Sequence, residues 1–257
     1  MKFNQIAISK LKKEDYLWRY IDLHKLLDLI IKKQLYFSRL DQFNDPFDGI
    51  TMNLIEKRYF AKMSNINNPN IPSDLVKKMK WQQNKTLEDC EIESQIRRKT
   101  QYVNCWIKSE RESIAMWSLY SNKESVALKA NGIQLVNYFE YLINLQPTLY
   151  KECDFVCGSV FYFKLNPLDP FEKRTLPKFS AFKKDVAFDY EKEYRFLIAI
   201  PKESISDEIS FKYFPITKTF FTITEIVCHP EMPDWKFKNI EDICSKYELS
   251  NPRKSEI

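Results

Sequence analysis

A charged start leads into an apolar end in the stretch Tyr190-Glu191-Lys192-Glu193-Tyr194-Arg195-Phe196-Leu197-Ile198-Ala199-Ile200. The apolar part predicts a β-strand over Glu193–Ile200. Side chains on a strand alternate between its two faces, so we expect Glu191, Glu193 and Arg195 on one face. Two carboxylates this close raise the pKa of one of them unless the arginine compensates. The stretch therefore predicts a core strand that also carries two candidate catalytic carboxylates.

Strand-like and helix-like segments surround this stretch on both sides. Further strands are predicted at Leu35–Leu40, Tyr102–Ile107, Ser125–Ala130, Phe155–Phe163, Ile209–Phe214 and Phe221–Cys228. Helices are predicted at 23–31, 109–121, 133–143 and 235–247, the second from a capping box at Ser109–Glu112. Because strands and helices occupy separate stretches, we predict an α+β fold with a mostly antiparallel, strongly twisted sheet and flanking helices.

The polar segment from Thr51 to about Thr100 interrupts this pattern. It is rich in helix-forming residues and is broken by the Asn/Pro-rich run 65–72. A second proline-rich connector is predicted at 167–177. We therefore expect a single domain over 1–257 with a helical insertion at about 51–100.

Composition excludes several classes of protein. The 257 residues carry a net charge of +5 and only three glycines, which stand alone in the sequence. Neither a glycine-rich dinucleotide turn nor a P-loop can be assembled from them. With two histidines, a Ser-His-Asp hydrolase is not expected.

Membrane insertion and secretion are not expected either. Apolar runs such as Phe196–Ile200 fall far short of the roughly 20 residues that cross a bilayer. Residues 1–13 lack the apolar core of a secretory signal. We expect a cytoplasmic protein without a membrane partner.

Four short islands carry most of the unusual chemistry. They are Leu17-Trp18-Arg19-Tyr20, Phe43-Asn44-Asp45-Pro46-Phe47-Asp48, Met116-Trp117-Ser118-Leu119-Tyr120 and the 190–196 segment. Together they resemble an uncharacterised bacterial domain family with an F-N-D-P-F-[DE] loop, an M-W-x-x-Y helix and an E-x-E-x-R strand. The resemblance covers about residues 16–200, and it implies little about activity because that family has none assigned.

The order of elements is more distantly similar to the ADP-ribosyltransferase superfamily. There, an arginine or histidine on the first strand contacts the dinucleotide, and the second glutamate of a late E-x-E strand is catalytic. In this chain a first strand is predicted to end at Arg19, the 23–31 helix follows, and Glu191-Lys192-Glu193 opens the late strand. The resemblance implies an enzyme that uses NAD as its substrate and modifies a protein or a nucleic acid, in the manner of a toxin or a phage-defence effector.

The chemistry behind this resemblance can be stated for particular residues. Breaking a nicotinamide–ribose bond develops positive charge on the sugar, which a fixed carboxylate at Glu193 would stabilise beside Glu191. An arginine suits the pyrophosphate and aromatic rings suit the planar bases. The candidate cofactor-binding residues are Arg19, Tyr20, Ser38, Asn44, Asp45, Trp117, Tyr120 and Arg195, with Arg39 as a second candidate for the pyrophosphate; no resident metal is expected.

Two other functions remain open on the sequence. Asp45 or Asp48, together with Glu191 and Glu193, could bind Mg²⁺ through oxygen ligands in a metal-dependent nuclease. Alternatively, the islands only scaffold a non-enzymatic nucleotide-sensing or protein-binding module, since charged strand faces and Asn-Asp-Pro turns are common structural features.

Overall fold

The computed structural model describes residues 4–5, 10–63, 70–148, 150–164, 179–209, 211–215 and 223–257. The strands are β1 (Asn4–Gln5), β2 (Tyr16–Ile21), β3 (Gln34–Arg39), β4 (Gln101–Lys108), β5 (Val126–Asn131), β6 (Asp154–Ser159), β7 (Phe161–Phe163), β8 (Lys183–Asp185), β9 (Glu193–Ala199), β10 (Phe211–Pro215), β11 (Ile223–Cys228) and β12 (Arg253–Lys254). The α-helices are α1 (Leu23–Ile31), α2 (Met52–Met63), α3 (Ser73–Lys99), α4 (Ile114–Tyr120), α5 (Gly132–Leu145) and α6 (Asp234–Lys246).

One large sheet organises the chain. Its strands follow the order β1-β6-β9-β4-β2-β5-β11-β12, while β3 pairs with both β4 and β10. Its pairings are antiparallel except for the short β1–β6 and β11–β12 contacts. Strands β7 and β8 form a small parallel sheet of their own. The predicted α+β class with a mostly antiparallel sheet and flanking helices is confirmed.

The first face of the large sheet carries the main apolar core. Tyr102 and Trp106 of β4, with Tyr194 and Phe196 of β9, are buried there. Helices α1, α5 and α6 cover this face with their apolar sides. Asp22 caps α1 by accepting a hydrogen bond from the backbone N–H of Lys25, 2.9 Å away, as its position before the apolar repeat predicts.

The second face of the sheet carries Glu193, Arg195 and Leu197, since these residues pair with Ile107, Cys105 and Val103 of β4. It is covered by α4 and by the 3-10 turn Ser180–Phe182. Loop residues Leu40 and Phe43 also pack here. Polar and charged groups are thus built into the less apolar of the two layers.

Helices α2 and α3 occupy the segment between β3 and β4 that was predicted to be helical. Buried Cys90, Ser94 and Arg98 recur every fourth residue along α3, so one stripe of this helix faces the protein. Arg98 donates hydrogen bonds to the carbonyls of Leu40 (3.1 Å), Asp45 and Pro46 (both 3.3 Å). Helix α3 therefore holds the loop that precedes α2.

Gly49 ends this loop in a conformation that favours glycine. Its φ of 74° lies in the left-handed region, and a Cβ there would lie 2.1 Å from Cδ2 of Leu40. Asp48, just before it, donates its backbone N–H to the carbonyl of Asp45 at 3.2 Å, which closes a turn in this loop.

Two local predictions were wrong. The Ser109–Glu112 capping box does not open a helix: α4 begins at Ile114, and Ser109 Oγ instead bonds the carbonyl of Arg111 at 2.7 Å. Glu191 is not on the late strand, because it ends a 3-10 turn over Val186–Glu191 and Lys192 follows with φ 44°. The register of β9 therefore starts at Glu193.

Other expectations fall partly outside the part of the chain that the structure describes. The connector predicted at 167–177 lies wholly outside, as does the start of the strand predicted from Phe221. The single-domain organisation stays a prediction. No described helix combines the length and apolar composition needed to cross a membrane.

Candidate functional site

Arg195 lies at the centre of a buried ionic cluster on the second face. Its guanidinium forms a paired contact with Asp48, with both N–O distances at 2.7 Å, although the two residues are 147 positions apart. It also donates to Glu193, through Nε to Oε2 at 2.6 Å and through Nη2 to Oε1 at 3.0 Å. The carbonyl of Ala181 accepts a further bond at 2.7 Å. Arg195 and Asp48 are both 0% exposed, so this pair is fully removed from water.

Lys184 of β8 supplies the second cation of the cluster. Its Nζ lies 2.5 Å from Oε2 of Glu191 and 3.0 Å from Oε1 of Glu193. A third carboxylate, Asp48, is 3.7 Å away. The ammonium also lies 4.5 Å from the ring centre of Phe188. Lys184 therefore bridges the two glutamates that the sequence predicted to act together.

Tyr120 connects the cluster to the surface. Its hydroxyl donates a hydrogen bond to Oε1 of Glu191, and its ring is half exposed. The side chain of Tyr190 contacts the Tyr120 hydroxyl and is also exposed. An exposed aromatic ring therefore lies directly beside the Glu191 carboxyl.

The two glutamates have opposite ionisation behaviour. Burial, together with the neighbouring Glu193 carboxylate, raises the pKa of Glu191 to about 7. Burial acts on Glu193 in the same direction, but the charges of Arg195 and Lys184 outweigh it and hold the pKa of Glu193 well below its usual range. Divergent pKa values in a carboxylate pair are typical of acid–base roles.

The MWSLY island is anchored by its tryptophan. Trp117 is buried, its indole N–H donates to Oε2 of Glu112 at 3.0 Å, and its ring meets Tyr20 edge-on at 4.8 Å between centres. The Tyr20 hydroxyl accepts the backbone N–H of Ser113 at 2.8 Å. These contacts commit Trp117 and Tyr20 to packing α4 on the sheet, and only Tyr120 of the three predicted stacking rings is open to a ligand.

Arg19, predicted to bind the cofactor, does not lie at the cluster. Trp18 pairs with Ile107 and so shares the second face with Glu193, which places Arg19 on the first face. Its guanidinium donates to the carbonyl of Tyr36 at 3.2 Å and lies 5.9 Å from the ring centre of Trp106. The sheet separates Arg19 from both glutamates.

Three other predicted binding residues surround the site without joining it. Ser38 pairs with Val103 on the second face, one side-chain row away from Arg195. Asn44 is exposed, whereas Asp45 closes the turn by accepting the backbone N–H of Phe47 at 2.8 Å. Arg39, the alternative pyrophosphate candidate, is held by Asp41 at 2.6 Å and by the carbonyls of Ser206 and Ile209.

The carboxylates that a magnesium site would need are already bound to cations. Asp48 is paired with Arg195, while Glu191 and Glu193 share Lys184. Across the described ranges, no group of three or more His, Cys, Asp or Glu side chains could hold a metal ion. The donor set does not favour the nuclease alternative, and Asp45 lies outside the cluster.

The sequence did not indicate that Lys184 and Asp48 form buried ion pairs with the predicted site residues. Lys184 belongs to a basic run that is typical of a solvated surface, and it gave no signal of burial. Asp48 stood out in the FNDPFD motif, but only the fold could show that its partner is Arg195. Because the two residues are 147 positions apart, no local sequence pattern can indicate that they pair.

Comparisons with known proteins add little to this geometry. No family model matches the chain, and no curated protein matches it by sequence. Among solved structures, DarT from Thermus sp. 2.9, in complex with ADP-ribosylated single-stranded DNA, is similar at a TM-score of 0.34 and 10% identity, over 93% of this chain and 92% of that one. Similarity this weak does not establish a common fold.

Proposed function

We propose that this chain is an ADP-ribosyltransferase-like enzyme that cleaves the nicotinamide–ribose bond of NAD and transfers ADP-ribose to a protein or a nucleic acid. The observation that supports it is a pair of adjacent glutamates beside the exposed ring of Tyr120. Glu193 is held ionised, and the pKa of Glu191 is raised to about 7. Such transfer would suit a toxin or a phage-defence effector.

Each glutamate has a distinct part in this proposal. As the bond from ribose C1′ to the nicotinamide nitrogen breaks, nicotinamide leaves with the electron pair and positive charge develops on the sugar. Ionised Glu193 stabilises that charge electrostatically. The acceptor nucleophile then bonds to C1′ and gives its proton to Glu191, whose pKa of about 7 suits a general base at neutral pH. Arg195 and Lys184 keep Glu193 ionised.

Release of nicotinamide tests the proposal. Purified protein incubated with NAD, with and without protein or nucleic-acid acceptors, should release nicotinamide that chromatography detects. Glu193→Gln should lower the rate by about 100-fold or more, because it removes the negative charge that this proposal assigns to stabilising the sugar cation. Glu225→Gln is the matched control, since Glu225 is also a strand glutamate paired with cations, Lys129 and Arg253, outside the cluster. Equal rates in wild type and Glu193→Gln would contradict the proposal, as would no release under any condition.

A non-enzymatic binding module is the second candidate, and one observation favours it. Arg195 binds both Asp48 and Glu193 in a buried arrangement, and this contact ties the FNDPFD loop to the sheet whether or not a ligand binds. This candidate predicts that Glu193→Gln lowers the melting temperature and changes no turnover. Calorimetry would then detect nucleotide binding without nicotinamide release.

A further inference from the structure

The ammonium of Lys184 contacts both glutamates of the candidate site. Lys184 extends from β8, on a different part of the chain from the β9 strand that carries Glu193. Its Nζ contacts one oxygen of each glutamate, at 2.5 and 3.0 Å, and its side chain is only 7% exposed. An ammonium in this position bridges two carboxyl groups that repel each other whenever both are ionised.

Arg195 does not duplicate this role. Its hydrogen bonds run to Glu193, Asp48 and the carbonyl of Ala181. Lys184 and Tyr120 donate hydrogen bonds to Glu191, and the Glu191 carboxyl also shares a side-chain hydrogen bond with Glu193. Lys184 is therefore the cation shared by both glutamates, whereas Arg195 serves Glu193 and the loop.

We propose that Lys184 is a positioning residue of the candidate site, whose ammonium holds Glu191 and Glu193 at a fixed separation and sets which of them carries the proton. The inference rests on the proposed function, because it assigns Lys184 to the same pair of glutamates. Lys184 is not assigned as a catalytic residue, because its ammonium is already bound to the two glutamates.

The groups around Glu191 determine how its pKa should change when Lys184 is replaced. They are Lys184 of β8, Glu193 of β9, Tyr120 of α4, Tyr190 of the 186–191 turn and Tyr162 of β7. Lys184 is the cation among them, and it lowers the pKa of Glu191 against the effects of burial and Glu193. Removing Lys184 should therefore raise the pKa of Glu191 above its present value of about 7.

Carbon-13 NMR titration of the glutamate side-chain carboxyls tests this inference without any need for turnover. Lys184→Met should move the Glu191 titration upward by about one pH unit. Lys184→Arg should keep most of the wild-type value, because the positive charge remains. Lys183→Met is the matched control: Lys183 is the preceding residue, is likewise buried at 9% exposure, and among the described residues forms no hydrogen bond or ion pair with either glutamate.

The pH profile of nicotinamide release gives a second readout. In Lys184→Met the acidic limb of the profile should move upward by the same amount as the Glu191 titration, whereas loss of packing alone would lower the rate at every pH. A Glu191 titration that moves no further in Lys184→Met than in Lys183→Met would overturn the inference. If wild-type protein releases no nicotinamide, the proposed function fails, and the titration still decides the role of Lys184.

Discussion

At the scale of single residues, the bidentate pair between Asp48 and Arg195 dominates the second face. Without the Asp48 carboxylate, the buried Arg195 guanidinium keeps only Glu193 and the Ala181 carbonyl as partners. Because Glu193 still compensates part of the charge, we expect the low end of the cost of breaking a buried ion pair, about 3 kcal/mol. We therefore expect Asp48→Asn to lower the free energy of unfolding by about that amount, measured by urea denaturation. Glu93→Gln is the comparison, because its pair with Arg97 is exposed and contributes about 0.5 kcal/mol or less. Similar losses in the two variants would show that the Asp48 pair contributes no more than a surface contact.

Local sequence patterns predict the placement of some residues in the cluster but not of others. Alternation along β9 correctly places Glu193 and Arg195 on one face, because that pattern is local. Glu191 reaches the same side for another reason, namely the left-handed residue Lys192, which the alternation argument did not include. Arg19 is on the other face because the β2–β4 register decides it, and register depends on long-range packing that no short motif records.

At the scale of elements, α3 fixes the loop that delivers Asp48. Arg98 is 4% exposed and donates to three carbonyls of that loop, whereas its neighbour Arg97 is exposed and pairs within the helix. Arg98→Ala should lower the free energy of unfolding by about 3 kcal/mol, because three carbonyls lose a charged donor. Arg97→Ala should cost about 0.5 kcal/mol or less.

A double-mutant cycle extends this prediction to the cluster. If α3 holds the loop for Asp48, then Asp48→Asn should cost less in the Arg98→Ala background than alone, since the loop is already released. Thermal and urea unfolding of the four proteins would measure this coupling. Additive losses would mean that Arg98 and Asp48 stabilise separate parts of the structure.

Most elements could be predicted because their signals are local. The apolar repeat in α1 and the runs in β4, β5 and β9 gave the type and approximate bounds of each. The capping box failed because Ser109 and Glu112 have partners elsewhere: Glu112 accepts from Trp117, Ser255 and Arg253. A motif of four residues cannot show that its carboxylate also binds Arg253 and Ser255, which lie more than 140 residues further along the chain.

At the scale of the whole molecule, the ionic cluster balances its charge in a way that depends on pH. Two cations, Arg195 and Lys184, face two ionised carboxylates, Asp48 and Glu193, and the fifth group is Glu191. Below its pKa of about 7, Glu191 is protonated and the cluster is neutral. Above that value the buried cluster gains an uncompensated negative charge, which burial disfavours.

The sign of the resulting stability change follows from proton linkage. Between the ordinary glutamate pKa of 4.5 and about 7, folded Glu191 keeps a proton that the unfolded chain releases, so the free energy of unfolding falls as pH rises through this window. The depressed pKa of Glu193 acts only below 4.5, where its stabilisation is lost as pH falls. Glu191 and Glu193 therefore act in separate windows.

Urea denaturation at pH 5 and pH 7.5 measures the Glu191 contribution as a difference between variants. Wild type should lose about 2 kcal/mol more than Glu191→Gln between these pH values, because glutamine cannot ionise. Comparing the variants cancels other titrating groups in the window, including His229, whose lowered pKa acts in the opposite direction. Glu225→Gln should retain the wild-type difference, since the pKa of Glu225 is lowered and its window lies below 4.5. The same pH dependence in Glu191→Gln and wild type would show that Glu191 is ionised throughout, and the cluster would then lack the proton that the proposed general base exchanges.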